Sequence, residues 1–263
     1  MSGKFGITIL GSGSGGNASV IHGPEGDLLL DAGFSAAELE RRMAAREISP
    51  RSIRAVLITH DHSDHTKGCR TFADRYRIPA YMTEETVKAG REKDYLPHKA
   101  VMISPGTAFE LSGVTIEPFI LPHDVAGTIG FVFRACERKI GVATDLGHMT
   151  MLAKHKLSGC NLLVLEANHD PSMLFASARP LKTKRRIFSP FGHLSNAAAM
   201  AALEELLTPE CSSLVLAHIS SQCNNCKLLE ELAEKTLQNL GRKDILLRIA
   251  MQDAPLDTFW LAE

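Results

Sequence analysis

Six consecutive residues, His60-Asp61-His62-Ser63-Asp64-His65, bring three imidazoles and two carboxylates into one short stretch. Imidazole nitrogen and carboxylate oxygen together suit Zn2+, Mn2+ or Fe2+, and no thiolate here demands a softer ion. In extended chain, residues i and i+2 point the same way, so His60 and His62 can converge on one cation. Asp64 and His65 lie where the chain turns toward a helix, and they can face a second cation. A solvated polar loop would tolerate the same residues. This stretch, however, follows directly on the apolar run 55–59, a strand whose end can present ligands rigidly.

Six residues cannot complete two coordination spheres, so further ligands belong at other strand ends. His123 follows the run ending at Ile120, Asp145 the run ending at Ala143, and His218 the run ending at Ala217. Each alone is ordinary polar termination of a strand. Together with His60, His62, Asp64 and His65 they supply a set for two divalent ions.

The elements that must position these residues are read from periodicity and punctuation. Short apolar or β-branched runs at 5–10, 18–22 and 27–31, separated by glycine-rich turns, predict three closely spaced strands. Helices are predicted at 36–46, where Ser35 and Glu38 make a capping box, at 67–76, at 196–207 behind Ser195, and at 227–240 before Gly241. Further strands fall at 53–59, 101–103, 114–120, 129–134, 139–143, 161–166, 213–217 and 246–249. Two strand-rich segments with accompanying helices suggest two packed sheets with helices outside. Residues 172–194 are a long polar segment with little periodicity, which predicts a lid or binding loop.

With 263 residues, 44% of them hydrophobic, the chain can bury a sizeable core; no linker or repeat divides it, so one domain over 1–263 is expected. A formal net charge of -1 gives no global reason to expect nucleic acid, and any polyanion site must be a local basic patch. The start, Met1-Ser2-Gly3-Lys4-Phe5-Gly6, lacks the features of a secretory leader, and no apolar run approaches the roughly 20 residues that span a bilayer. A cytoplasmic protein without membrane contact is expected. Cys223 and Cys226 form one C-x-x-C with no second pair in view, so neither a structural zinc nor a redox pair is expected there.

The pattern H-x-H-x-D-H at 60–65, followed in order by His123, Asp145 and His218, resembles the signature of the metallo-β-lactamase superfamily along nearly the whole chain. The finer resemblance is to the WalJ/YycJ-like group, with ribonuclease Z more distant. Gly11-Ser12-Gly13-Ser14-Gly15-Gly16-Asn17 is similar to that group's opening motif. So are Glu166-Ala167-Asn168-His169-Asp170, Gly192-His193-Leu194-Ser195-Asn196, and Ala217-His218-Ile219-Ser220 followed by Asn224-Asn225. The resemblance implies an α+β fold, a four-layer αββα sandwich of two mixed sheets, with metals at one edge between them. It also implies that His60, His62 and His123 bind one ion, that Asp64, His65 and His218 bind the other, and that Asp145 bridges. Many β-lactamases have Cys at the bridging place, so Asp145 points toward the phosphodiesterase, nuclease and glyoxalase II branches.

On that reading two ions, Zn2+ or Mn2+, would polarise a phosphoryl oxygen and supply hydroxide as nucleophile, with Asp64 catalytic as well as a ligand. His193 could protonate the departing alkoxide while Glu166 orients its ring; the plainer alternative is that His193 merely begins the helix behind Ser195. In the 11–17 turn, Ser12, Ser14 and Asn17 could donate to phosphate or buttress the metal loop. Arg179, Lys182, Lys184, Arg185 and Arg186 lead into His193, either gripping a phosphate backbone or forming a solvated charge run. Lys184, Arg185, Arg186 and Ser195 join the serines and Asn17 as candidate substrate contacts. His148 and His169 are spare histidines that could hydrogen-bond a ligand or be structural. One tryptophan and three tyrosines indicate no extended base-stacking platform. The expected activity is nuclease, more narrowly a 5′-to-3′ exonuclease, with DNA favoured over RNA. The alternatives are a small-molecule hydrolase, of a cyclic phosphodiester or thioester, and a non-catalytic signalling module.

Overall fold

The computed structural model describes residues 4–261. Residues 1–3, where a leader was sought, and residues 262–263, the end of the expected domain, lie outside the described residues. The first sheet is opened by β1 (Phe5–Gly11), β2 (Ala18–Gly23), β3 (Gly26–Leu30), β4 (Ile53–Leu57), β5 (Ala80–Met82) and β6 (Ala100–Met102). The second holds β7 (Phe109–Leu111), β8 (Val114–Ile120), β9 (Ile129–Ala135), β10 (Arg138–Ala143), β11 (Leu162–Glu166), β12 (Ser213–Ala217) and β13 (Leu246–Ile249). The chain then returns to the first sheet as β14 (Phe259–Leu261), which pairs with β1. The orders are β14-β1-β2-β3-β4-β5-β6 and β13-β12-β11-β10-β9-β8-β7.

Both sheets are mixed. In the first, β14 to β3 run antiparallel and β3 to β6 parallel. In the second, β7 to β10 run antiparallel and β10 to β13 parallel. Two successive antiparallel pairings make β8 run the same way as β10, so β8, β10, β11 and β12 all finish at one edge. Strands of this kind present ligands beyond their carboxyl ends.

Helices cover the outer faces. α1 (Ala36–Ala44), α2 (Ser63–Thr66), α3 (Cys69–Tyr76) and α4 (Glu84–Glu92) accompany the first sheet. α5 (Met151–Leu157), α6 (Pro171–Ala176), α7 (Leu181–Phe188), α8 (Asn196–Leu206) and α9 (Cys226–Asn239) accompany the second. Between the sheets, Ile7 and Leu28 meet Ile116, Phe131 and Val164 in one buried cluster. Leu39, Met43 and Phe72 pack the first helical layer, and Leu157, Leu203 and Leu229 the second. This is the expected αββα sandwich. β11 and β12, covered on both faces, are buried at every position, which is why they read as unbroken apolar runs. No helix among the described residues is long and apolar enough to cross a membrane.

Several elements depart from expectation. Ser35 caps α1, but Glu38 does not reach back; its carboxylate holds Arg41 and Arg42 instead, so the capping box is half made. The helix expected at 67–76 is α3, which starts only at Cys69; the short α2 precedes it, and at Gly68 between them a Cβ would lie 2.1 Å from the Phe34 carbonyl oxygen. Residues 172–194 are not a bare loop, since α6 and α7 lie there. α7 buries none of its residues, and with four charges among its eight positions it leaves too short an apolar pattern to mark from sequence. The three-residue strands β5, β7 and β14 are too short for periodicity to mark.

Replacing Phe131 with Ala should cost about 3–5 kcal/mol, because its fully buried ring fills the space between the sheets. A lower urea midpoint with unchanged m-value would bear this out, and an unshifted midpoint would contradict it.

Candidate metal centre

β4 leads into His60 and His62, and the short helix α2 carries Asp64 and His65. β8, β10 and β12 lead to His123, Asp145 and His218 at the shared edge. Their ligand atoms form overlapping groups, His60/His62/His123, His60/His65/Asp145 and Asp64/His65/His218, with the atoms of each within 4.8 Å of one another. The structure thus brings together all seven expected ligands. Asp145 (φ 61) and His218 (φ 55) have left-handed backbone, as does Asp31 (φ 58) beyond β3. For residues other than glycine that costs roughly 1–2 kcal/mol each, and the strain sits where the ligand atoms converge.

The loop carrying Asp64 and His65 is pinned from below. Asn17 N–H donates to the Asp64 carbonyl at 2.7 Å, and Ala32 N–H to the His65 carbonyl at 2.8 Å. A Cβ at residue 33 would lie 1.6 Å from the Asp64 oxygen, so the close approach admits only Gly33.

Spacing and burial fit a divalent cation. Two ligand atoms on one tetrahedral zinc lie about 3.3 Å apart. His60 Nε2 is 3.0 Å from His62 Nδ1, which is 3.4 Å from His123 Nε2. Asp64 Oδ2 lies 3.6 Å from His65 Nε2 and 3.5 Å from His218 Nε2. Asp145 Oδ2 is 3.2 Å from His65 Nε2. Both Asp145 oxygens and His218 Nε2 are buried without a hydrogen-bond partner. An orphaned buried carboxylate is costly unless a cation meets it.

The outward nitrogens explain how the rings are held. His65 Nδ1 lies 2.7 Å from Asp31 Oδ2, and His218 Nδ1 3.0 Å from Glu166 Oε1. His123 Nδ1 donates to the Gly192 carbonyl at 2.9 Å, and His60 Nδ1 is 3.0 Å from Thr59 Oγ1. These contacts leave Nε2 of four rings facing the centre, while His62 offers Nδ1. Glu166, wholly buried, also takes His193 Nδ1 at 2.7 Å and accepts from the backbone of Leu146 and Leu194 at 2.9 and 3.2 Å. Burial alone would raise its pKa, but His193 and the hydrogen bonds outweigh this and hold it down to about 2. Asp31, which accepts from Thr59 N–H at 2.9 Å, was missed because an acid ending an apolar strand looks like plain polar termination.

A cleft of about 320 Å3 opens over the centre, lined by Ser14, Asp64, His193, Arg179, Thr183 and Arg186 among others. Arg186 Nε bonds Asp124, whose other oxygen is 3.2 Å from His123 Nε2. Helical spacing separates the basic run: Lys184 Nζ donates to the Phe175 carbonyl at 2.7 Å, and neither Lys184 nor Arg185 lines the cleft. Ser12 and Asn17 are buried beneath it. Ser12 Oγ donates to Asn17 Oδ1 at 2.8 Å and accepts His218 N–H at 2.9 Å, and Asn17 Nδ2 reaches His65 Nε2 at 3.0 Å. Of the expected roles for that turn, their bonds are those of a buttress. Ser195 caps α8. His148 Nδ1 donates to the Pro190 carbonyl at 2.8 Å, and His169 is buried with neither ring nitrogen hydrogen-bonded. Cys226 Sγ sits 3.5 Å from Met251 Sδ, and Cys223 is buried as a free thiol.

The profile of the beta-lactamase superfamily domain matches residues 27–219, which include every one of these ligands. The chain belongs to the metallo-β-lactamase superfamily. It is 32% identical over 237 residues to exodeoxyribonuclease YycJ of Bacillus anthracis, covering 89% of this chain and 90% of that one. Exodeoxyribonuclease WalJ of Streptococcus pneumoniae is 29% identical over 246 residues, covering 92% and 90%. The fold is shared with the metallo-beta-lactamase fold protein YhfI of Bacillus subtilis (TM-score 0.72, 16% identity, 96% and 99% covered). This superfamily member is a metal-dependent hydrolase of the WalJ/YycJ-like group.

Two outcomes are expected of metal binding in this superfamily member. Asp31→Ala should weaken Zn2+ affinity about 10- to 100-fold, because His65 loses the acceptor that fixes its ring; chelator competition reads the loss, and unchanged affinity would contradict the role. The second concerns protons. Burial would lower both pKa values, but Asp31 and Asp145 raise His65 well above the ordinary imidazole value, and Asp145 with Asp64 and Glu166 raises His218 to about 10. Without metal both rings are therefore protonated near neutrality, whereas a ligand must be neutral. Zn2+ binding should release protons and tighten as pH rises toward that range. Calorimetry in buffers of different ionisation enthalpy checks this, and no buffer dependence would refute it.

Proposed function

We propose that this protein is a phosphodiesterase acting on nucleic acid, a nuclease, with two divalent ions, Zn2+ or Mn2+. His60, His62 and His123 would hold one, Asp64, His65 and His218 the other, and Asp145 would bridge them. Bound there, the ions would lower the pKa of water and draw charge from the phosphoryl oxygen. The observation that carries the reading is the Glu166–His193 pair beside the bridging Asp145. His193 Nδ1 lies 2.7 Å from Glu166 and 3.6 Å from Asp145 Oδ1, and the ring lines the cleft.

With Nδ1 tied to Glu166, the nitrogen left to meet a ligand is Nε2, placed to give a proton to a departing alkoxide. Glu166 acts through both rings it holds, orienting His193 as acid and His218 as ligand. Arg179 and Arg186 line the same cleft and supply the cations a phosphate backbone needs. Arg186 would exchange its Asp124 partner for phosphate. Ser14 adds a hydroxyl to the lining, whereas Lys184 and Arg185 would serve only strand lying outside the cleft. The relatives named as exodeoxyribonucleases support DNA as substrate and removal of nucleotides from an end. A 5′-to-3′ direction is the more specific form of the proposal, and cytoplasmic action on DNA is its setting.

End-labelled single- and double-stranded DNA and RNA, incubated with metal-loaded protein and with Asp64→Ala, test the reading. His193→Ala should lose about 10²- to 10⁴-fold in rate on DNA. It should lose little on a nitrophenyl phosphodiester, whose phenolate leaves without a proton. Equal losses on both would remove His193 as the acid. Cleavage of no nucleic acid by the wild type would overturn the nuclease reading.

A further inference from the structure

Four arginines gather far from the metal centre. Arg51 lies in the short 3₁₀ turn Pro50–Ser52 and Arg54 at the start of β4, while Arg75 and Arg77 lie at and just beyond the end of α3. With Ile53, Tyr76 and Ile78 they line a groove of about 380 Å3. Arg75 is neutralised by Glu40 at 2.6 Å, and the Tyr76 hydroxyl donates to the same carboxylate at 2.8 Å. The guanidinium groups of Arg51, Arg54 and Arg77 have no hydrogen bond or ion pair among the described residues. Asp27 is the carboxylate whose charge Arg54 feels, and it is already bonded to His22 and Ser52.

Cations lining one concave surface repel each other, and the Asp27 carboxylate sets one negative charge against Arg54 while Arg51 and Arg77 have no ion pair among the described residues. Arg77 moreover takes left-handed backbone (φ 56), where glycine is the usual occupant. The groove opens at the start of β4, whereas His60 follows its end. Seven residues of strand-like chain at about 3.3 Å each put the two sites roughly 20 Å apart. The groove is therefore no part of the metal cleft.

We propose that this groove is a second, non-catalytic anion site that takes a compound carrying clustered phosphates. Guanidiniums on three residues lining one groove can meet several phosphate oxygens at once, and a single small anion would leave part of the charge unmet. Ile53, Tyr76 and Ile78 line the same groove beside the cations. The clustered phosphates come from a free polyphosphate or from the backbone of a nucleic acid strand. The site does not depend on the nuclease reading.

The test compares metal-loaded wild type with Arg51→Gln/Arg54→Gln/Arg77→Gln. A second variant, Arg51→Gln/Arg77→Gln, keeps the Arg54 stem packed on the Gly26 turn should the triple variant fold poorly. Both should hydrolyse a nitrophenyl phosphodiester as wild type does. In calorimetry with tripolyphosphate, wild type should show a binding event that the variants lose or weaken at least about tenfold. Binding of a long phosphorothioate single strand and of a dinucleotide then separates the sources. A nucleic acid source predicts weaker binding of the long strand alone, with the salt slope flattened by about 2 for three lost cations. A free polyphosphate source predicts unchanged strand binding beside the lost tripolyphosphate event. Variants that bind tripolyphosphate and the long strand like wild type would overturn the proposal.

Discussion

The Asp145 carboxylate is buried with neither oxygen hydrogen-bonded, and the rest of the centre is arranged around that charge. Burial would raise its pKa, yet His218 and His65 hold it well below the usual range, so it stays anionic. Removing such a charge from water is unfavourable by several kcal/mol unless a cation is close. Protonated rings can supply that cation when metal is absent, and metal can supply it when bound. The site therefore suits an exchange of protons for metal.

Two further carboxylates make that exchange orderly. Asp31 holds His65 from one sheet, and Glu166 holds His218 and His193 from the other. Each sits at a strand end whose carboxyl edge faces the centre, so the two sheets clamp the ligands from opposite sides. Glu166 ties a metal-facing ring and a cleft-facing ring to one anion, 3.0 and 2.7 Å away respectively. Any change in its charge would reach binding and proton transfer together. The left-handed backbone at Asp31, Asp145 and His218 is the strain the fold tolerates to bring these atoms together.

How much of this was legible in the sequence follows from the kind of information each part needs. The seven candidate ligands could be found because metal chemistry restricts residue type and because strand ends are marked by unbroken apolar runs. The same logic gave the long buried strands and the sandwich. Asp31 was not legible, since its role depends on β3 lying beside β4, a pairing that no local pattern states. Nor was the division of the basic run. With four charges among eight residues of α7 and none of them buried, only the helix itself tells Arg186 from Arg185. Ser12 and Asn17 kept two readings until their partners were known. The groove at Arg51, Arg54 and Arg77 joins residues far enough apart in sequence that they never formed a visible run.

In the proposed function Asp145 joins two cations into one centre. Counting bound zinc per chain by mass spectrometry, after loading and desalting, tests it most directly when wild type and Asp145→Ala are measured together. The account predicts two ions in wild type and one or fewer in the variant, with the fold retained by circular dichroism. Fewer than two ions in wild type, or two in both proteins, would contradict it.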